Sequence, residues 1–483
     1  MPDPEPPSEA ALEPVPGPGP AASPEPGPPT PAEVPAAIPA KPRPSLFHHP
    51  NFRKLWVGDT ISQFGTQVSQ LAIPLVAILF LNATPFEVAL LGTVEFLPFL
   101  LFTLPAGAWV DRLHRRPILI IGDLGRALAL ASIPVAYALG TLTIAQLYVV
   151  GFAMGILTVF FDVSYQSYLP SLVDRDQLVE GNAKLQASQS AAQIVGPGLG
   201  GYVIGVLTAP IAVIVDAASY LASALFVFSI RGSEAPIPPR DGSPTGRVER
   251  VRAFGGEIRE GLAFVVGHPY LRMIAGATST SNLFGNIATG ILLVYVVRVL
   301  LLDPLQIGLV FSLGSIGAFA GALVANLIAA RIGVGRTIVA AMALNGPATL
   351  LIAIAPVANP MPFLVASVAL GSFTGLVYNI NQVSFRQAIT PERMQGRMNA
   401  TMRFLVWGTI PIGSVLSGIL ATLFGLSTTI WIGAILSFTP VLFLVFSSVR
   451  TITTMPTSPD DWSARNVALE AAAADEMGRT PLL

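Results

Sequence analysis

The sequence predicts an all-α integral membrane protein whose twelve transmembrane helices form two six-helix pseudo-repeats. Three observations carry that prediction. Only 11% of the 483 residues are charged and 52% are hydrophobic, whereas a soluble domain carries about a quarter charged residues. Twelve segments reach the roughly 20 mostly apolar residues that a bilayer-crossing helix needs. Lys and Arg are confined to alternate connections between those segments, which fixes a topology.

Residues 1–50 are dominated by Pro, Ala and Glu, as in PDPEPPSEA and PGPGPAASPEPGPPTPAEVP. Such a stretch has too little apolar surface to offset ordering entropy and reads as a disordered cytoplasmic tail. Its first basic residue is Lys41 and no apolar core follows, so it does not read as a secretory signal peptide. The spans follow at roughly 55–80, 86–110, 117–139, 144–166, 183–207, 210–230, 271–298, 304–329, 336–356, 361–385, 401–424 and 427–449. Connections as short as LNATP after the first span and GTLT after the third force antiparallel hairpins.

One set of alternate connections holds Lys54, Arg112, Arg115, Arg116, Arg175, Lys184, Arg231 to Arg259, Arg331, Arg336, Arg393 and Arg397; the other holds Arg298 alone. Both termini are therefore expected in the cytoplasm of a cell-membrane protein. The longest internal connection divides the chain into an N-terminal half (51–230), a linker (231–269), a C-terminal half (270–450) and a C-terminal tail (451–483). In the linker, Val251, Phe254, Ile258, Leu262 and Val265 recur at helical spacing. They suggest either an amphipathic helix on the inner membrane surface or a short buried connector.

The two halves also resemble one another. Phe64-Gly65 answers Phe284-Gly285, Pro85 answers Pro304, Arg112 answers Arg331, and Gly196 and Gly201 answer Gly413 and Gly418. QSYLPSLVDRDQLVEGNA likewise parallels QVSFRQAITPERMQGRMNA. Parallel six-helix halves suit a transporter with a site at their interface near the midplane.

Other classes fare worse. The chain has no Cys, which excludes a disulfide framework, a thiolate nucleophile and a thiolate metal site. Lys41, Lys54 and Lys184 precede Pro, Leu and Leu, so no ATP-binding phosphate loop is present. The four histidines, His48, His49, His114 and His268, fall at inner flanks, and no span holds a paired acidic metal motif. The expectation is a non-enzyme with no cofactor, no metal and no nucleic-acid partner, acting on a small-molecule substrate and protons within the lipid bilayer.

Within that frame GAWVDRLHRRPILI, from Gly107 to Ile120, concentrates charge between two apolar runs. Arg115 and Arg116 could be simple positive-inside anchors, but anchoring does not account for Gly107 or Asp111. The pattern Gly-x-x-x-Asp-Arg-x-x-Arg-Arg resembles the loop signature of the major facilitator superfamily, and the resemblance runs from about Phe52 to Arg450. It implies that Gly107 permits close helix packing and that Asp111 and Arg112 form a cytoplasmic charge latch holding the halves together in the outward-open state. His114 stands where that family usually has Gly. The second-half loop AARIGVGRTI keeps Arg331 and Gly333 but has Ala330 in place of the acid, which makes the latch one-sided. Asp162, at the inner end of the fourth span, is expected to pair with Arg112 or Arg116.

AAQIVGPGLGGYVIG in the fifth span, with Gly196, Pro197, Gly200 and Gly201, resembles the exporter element of the same superfamily. Physically the glycines give a flat face for close helix approach and Pro197 permits a bend; ordinary small-residue packing is the competing reading. EFLPFLLFTLPAGAWVDR and FFDVSYQSYLPSLV look like the branch that includes enterobactin exporters and macrolide efflux proteins. The arginine-bearing fourth-span motif of many multidrug antiporters is absent. The resemblance implies a secondary transporter exporting a drug, macrolide or siderophore in exchange for protons. A solute importer or a non-transporting sensor of the same fold is the alternative.

A charge at the centre of a span costs about 2.5–3.5 kcal/mol. Asp123 and Arg126, three apart in the third span, read as a mutual ion pair or as coupling groups. Glu95 in the second span has only apolar sequence neighbours and is a candidate proton carrier or cation contact, unless a neighbouring helix hydrogen-bonds it. Asp59 and Asp216, near span boundaries, read as solvated or capping positions. Asn282 and Asn286, sharing one face, and Asn345, Asn379 and Gln382 are candidates for lining a substrate cavity or bonding between helices.

Overall fold

The computed structural model describes residues 45–110, 113–174, 177–231, 256 and 259–456, and statements of number or absence below concern these residues. The chain forms twelve membrane-length helical spans and no strand. They are α1 Pro50–Phe80, α2 Pro85–Val110, α3 Arg115–Ala138, α4 Ile144–Leu172, α5 Leu178–Leu207 and α6 Ala209–Phe228. The second half holds α7 Pro269–Arg298, α8 Pro304–Ile332, α9 Val334–Ala353, α10 Met361–Ala388, α11 Glu392–Phe424 and α12 Leu426–Val445.

All twelve expected spans are present, but several run past the apolar stretch that revealed them. The fourth continues to Leu172, the fifth begins at Leu178 and the eleventh at Glu392. Hydropathy marks the hydrocarbon layer, while the backbone ladder continues into the interface until a turn interrupts it.

Packing repeats between the halves. In the first, α1 packs on α5 and α6, α3 on α4 and α6, and α2 on α4. In the second, α7 packs on α11 and α12, α9 on α10 and α12, and α8 on α10. Two further pairs, α5 with α8 and α2 with α11, cross between the halves and answer one another under the same symmetry. Glycines fix both registers. Gly196 lies against Gln67 of α1 and Gly413 against Leu283 and Asn286 of α7, each within its own half. Five residues on, Gly201 lies against Pro304 and Gly308 of α8, and Gly418 against Phe86 and Ala89 of α2, each in the opposite half. A Cβ at Gly201 would collide with the Pro304 carbonyl.

The two ends of the molecule differ. Remote from the termini, one continuous core draws residues from both halves, including Val76, Val88, Tyr295 and Ile307. There the Arg298 guanidinium donates to the Ala83 carbonyl at 2.7 Å, and the Gly198 N–H donates to Ser312 Oγ at 2.7 Å. At the end that carries the termini the apolar core is split in two, one part around Phe52, Leu119 and Leu169 and the other around Leu271, Phe385 and Met398. The halves are joined at one end and parted at the other.

Five spans contain breaks. α1 ends in a π-helical turn, Val76–Phe80, just after Pro74, and α7 breaks at Gly290, α9 at Leu344, α11 at Gly408 and α12 before Pro440. In lipid the carbonyls freed by a break need donors. α7 and α11 supply them to each other. Ser279 and Asn282 of α7 donate to the Leu405 and Val406 carbonyls at 3.0 and 2.9 Å, and Ser417 of α11 donates to the Ile287 carbonyl at 2.6 Å.

Of the linker, residues 259–267 are helical. Gly261 abuts Arg397 and Thr401 of α11, Glu260 pairs with Arg397 at 2.9 Å, and Val265 is fully buried. This portion is a packed connector, and Val251, Phe254 and Ile258 lie outside the described residues.

Thr208, between α5 and α6, has φ 72° and ψ 154°, and its counterpart between α11 and α12 is Gly425 at φ 84° and ψ 165°. That region costs a residue with a Cβ about 1–3 kcal/mol. Thr208→Gly is expected to raise the apparent melting temperature of detergent-purified protein by a few degrees, and Gly425→Thr to lower it. A differential-scanning fluorimetry series reads both.

Candidate functional site

Parting the halves leaves two chambers. The first, of about 760 Å³, is lined by α7, α9, α10 and α11 and is open on one side. Asn282, Asn286, Asn345, Asn379 and Gln382 all line it. The same amides bond to neighbouring groups: Asn345 donates to Ser281 Oγ at 2.9 Å, Asn286 to the Asn282 carbonyl at 2.8 Å and Gln382 to Asn379 Oδ1 at 3.0 Å. Cavity lining and hydrogen bonding are thus two uses of one set of residues, because a side chain carries both donor and acceptor.

The second chamber, of about 740 Å³, lies between the halves and draws on α1, α5, α7, α8 and α10. Its polar wall is Gln67 and Gln70 of α1 with Gln186, Ser190 and Gln193 of α5, faced by Phe311, Phe319 and Leu376. Sequence reasoning missed these glutamines. The available signal was their helical spacing inside otherwise apolar segments.

The N-terminal half buries a charge cluster. Arg126 Nη2 meets Asp123 Oδ1 at 2.5 Å, with both side chains almost fully excluded from solvent. The guanidinium is sandwiched between the rings of Phe161 and Tyr220, 4.1 and 4.2 Å from their centroids, an arrangement suited to the planar delocalised charge of Arg. It is the common counter-charge of Asp123, Asp162 and Asp216. Asp59 and Asp216 are buried, which overturns the solvated or capping positions expected for them. Asp59 lies two turns and more inside α1, and Asp216 is enclosed where α6 packs on α1, accepting from Ser219 Oγ at 3.0 Å.

Glu95 projects from α2 toward Gly151 of α4, and a Cβ there would stand 2.8 Å from Glu95 Cγ. Gly155 receives the backbone of the same turn, so two glycines make the slot. No hydrogen bond or ion pair holds the Glu95 carboxylate among the described residues. Its neighbour Phe96 meets Trp407 of α11 edge-on at 6.0 Å, across the junction between the halves.

The charged loop gives a different picture from the expected one. Asp111 and Arg112 lie outside the described residues. Gly107 has nothing within 4 Å of where a Cβ would stand, so it makes no close helix approach here: the halves are parted at this end. Arg115 opens α3. Arg116 does not pair with Asp162; it donates to the Phe228 and Val227 carbonyls at 2.5 and 3.4 Å and covers the Phe228 ring. The last carbonyls of a helix lack backbone donors and carry partial negative charge, so a nearby cation caps them. In α5, Gly196 and Gly200 pack on α1, Gly201 packs on α8, and Pro197 lines the chamber between the halves.

Two pseudo-symmetric six-helix bundles, joined at one end and parted at the other around polar chambers, define a multi-pass membrane transporter of the major facilitator fold. The chain belongs to the transmembrane secretion effector family of that superfamily, whose model matches residues 44–478. It is 29% identical over 367 residues to the multidrug efflux pump Tap of Mycolicibacterium fortuitum, covering 72% of this chain and 84% of that one. It is 23% identical over 392 residues to macrolide efflux protein A of Streptococcus pyogenes, covering 78% and 90%. Its fold is similar to that of a bacterial homologue of the iron transporter ferroportin in the inward-facing state, at a TM-score of 0.66 and 15% identity over 82% of this chain and 98% of that one.

Breaking a buried ion pair by removing one partner costs about 3–5 kcal/mol. Arg126→Met is therefore expected to abolish the monodisperse peak in size-exclusion chromatography. Arg126→Lys should restore little, because an ammonium cannot fill the slot between two rings. The double variant Asp123→Asn, Arg126→Gln should recover the peak at least in part.

Proposed function

We propose that this protein exports hydrophobic or amphiphilic small molecules, such as drugs, macrolides or siderophores, across the cell membrane by alternating access coupled to proton entry. The observation that carries this reading is the geometry of the halves, closed together at one end and open around two chambers at the other. The concentration of Lys and Arg at the open end, against Arg298 at the other, supports a cytoplasmic position for that end, so that the chambers would face the compartment from which an exporter loads. The efflux activities named for the two sequence relatives support export, as does the bend-permitting glycine pattern of α5.

In this reading the protein binds its substrate between the halves and rocks about the α5–α8 and α2–α11 crossings. The terminus-end faces of α2 and α11 then meet and the remote ends part. Gly107, which faces open space now, becomes a contact point in that state, and Asp111 with Arg112 latches it. Glu95 is the proton carrier. It lies in a slot beside the moving junction and has no fixed counter-ion, so its protonation biases which packing of α2 is favoured. Arg126 holds α3 to α4 and α6 through the Phe161 and Tyr220 rings, and its pairing with Asp123 keeps the cluster's net charge tolerable.

The test is substrate-induced collapse of a preset pH gradient in inside-out vesicles, across siderophores, macrolides and lipophilic cations. Wild-type protein is expected to respond to at least one class, with Glu95→Gln and Asp111→Asn reduced to the level of empty vesicles. Full transport by Glu95→Gln at every pH would remove that carboxylate from the coupling. Gly107→Trp is expected to retain substrate binding while losing net transport, since it blocks closure of the open end; unaltered turnover would contradict the rocking scheme at this contact.

A further inference from the structure

The C-terminal half carries its charge unlike the N-terminal half. Between residues 270 and 450 the acids are Asp303, the N-cap of α8, and Glu392, in the first turn of α11. The chamber lined by α7, α9, α10 and α11 has no Asp or Glu among its lining residues, yet it includes Arg386 and Arg403. Arg386 is 9% exposed. Among the described residues no ion pair or side-chain hydrogen bond holds its guanidinium, and its Nε is buried without a partner. The hydroxyl nearest in charge, that of Tyr378, is already engaged with Thr278 at 2.7 Å.

An arginine that merely anchors a helix at the interface extends toward water or lipid headgroups. Arg386, in the last turn of α10, instead lines the chamber, with its side chain largely buried and its Nε fully so. Desolvating a guanidinium without a counter-ion is costly, and the forked donor geometry matches a carboxylate or phosphate. One turn earlier, Gln382 Oε1 is also buried without a partner, an acceptor waiting for a donor. Across the chamber Met402, Val406 and Trp407 present an apolar wall, with Arg403 stacked over the Trp407 ring at 4.9 Å. A cationic head, an apolar wall and an orphaned acceptor in one chamber describe a complementary ligand.

We propose that the chamber in the C-terminal half is an anion-binding site. It takes an amphiphile bearing a carboxylate, sulfonate or phosphate against Arg386, with a hydroxyl or amide donor reaching Gln382. The inference deepens the export reading by naming the class of cargo, and it rests on that reading only for the direction of movement. Lipophilic cations are the wrong charge for this chamber.

Binding is measured without transport, on purified full-length protein in phosphatidylcholine nanodiscs, by isothermal titration with naphthalenesulfonate and naphthylmethylammonium, matched in apolar body and opposite in charge. Wild-type protein is expected to prefer the sulfonate by about tenfold or more, Arg386→Gln to lose the preference and Arg386→Lys to keep part of it. Equal affinities in the wild type, or a preference that survives Arg386→Gln, would overturn the proposal.

A second measurement needs no change at Arg386. Because the chain lacks cysteine, a single Thr349→Cys on the chamber wall can be titrated with anionic and cationic methanethiosulfonate reagents. Relative to a free thiol in solution, the anionic-to-cationic rate ratio is expected to rise, and a fall in that ratio would overturn the proposal. Repeating the titration with phosphatidylglycerol in the nanodisc separates the sources of the anion. Competition by that lipid assigns the site to a lipid headgroup, and its absence to a free solute; either outcome retains the anion site. Sulfonate binding without export of any compound tested would sink the export reading and leave this site standing. Export without charge preference would do the reverse.

Discussion

Everything in this molecule depends on two helix crossings that tolerate no side chain. Where α5 meets α8 and α2 meets α11, glycine on one helix lies against backbone of the other, and these contacts join the halves. Close approach of this kind relies on van der Waals contact, because lipid offers no hydrophobic drive for helices to associate. It also resists sliding, since any shift brings a Cβ or carbonyl into the space a glycine leaves. The joint therefore holds its register, and in the proposed rocking each bundle would turn about it as a packed body.

The second constraint is the demand that backbone polar groups be satisfied inside the membrane. α7 and α11 are both interrupted, and each repairs the other through Ser279, Asn282 and Ser417. That repair draws the amides of α7 to the face they occupy, and the chamber forms beside it. The same economy appears at the terminus end, where Lys54 and Arg116 donate to the final carbonyls of α6 and its exit turn. Charges read from the sequence as orienting signals thus also cap helices.

The fold was readable because its signals are local and redundant: span length, hairpin turns, charge asymmetry and paired glycines all pointed the same way. Even the pairing of Gly196 with Gly413 and Gly201 with Gly418 has its spatial counterpart. Individual partners were not readable. Asp162 was expected to meet Arg112 or Arg116; Arg116 instead meets carbonyls, because the choice depends on where α6 ends relative to α3. Asp59 and Asp216 were placed by their distance from the span ends, but burial follows from which face of α1 and α6 turns inward. The glutamines of α1 and α5 converge only once the helices are assembled.

Segregation of charge between the halves has an electrical consequence. Carboxylates without full compensation lie in the N-terminal bundle, and the arginine without a counter-ion lies in the C-terminal one. In the proposed cycle a proton travelling inward on the first and an anion travelling outward on the second would both transfer positive charge into the cell. The two movements add rather than cancel, so a membrane potential negative inside, which supplies about 2.3 kcal/mol per charge per 100 mV, would drive both strokes. Such a cycle is electrogenic, and it can run on voltage even when the two sides of the membrane share one pH.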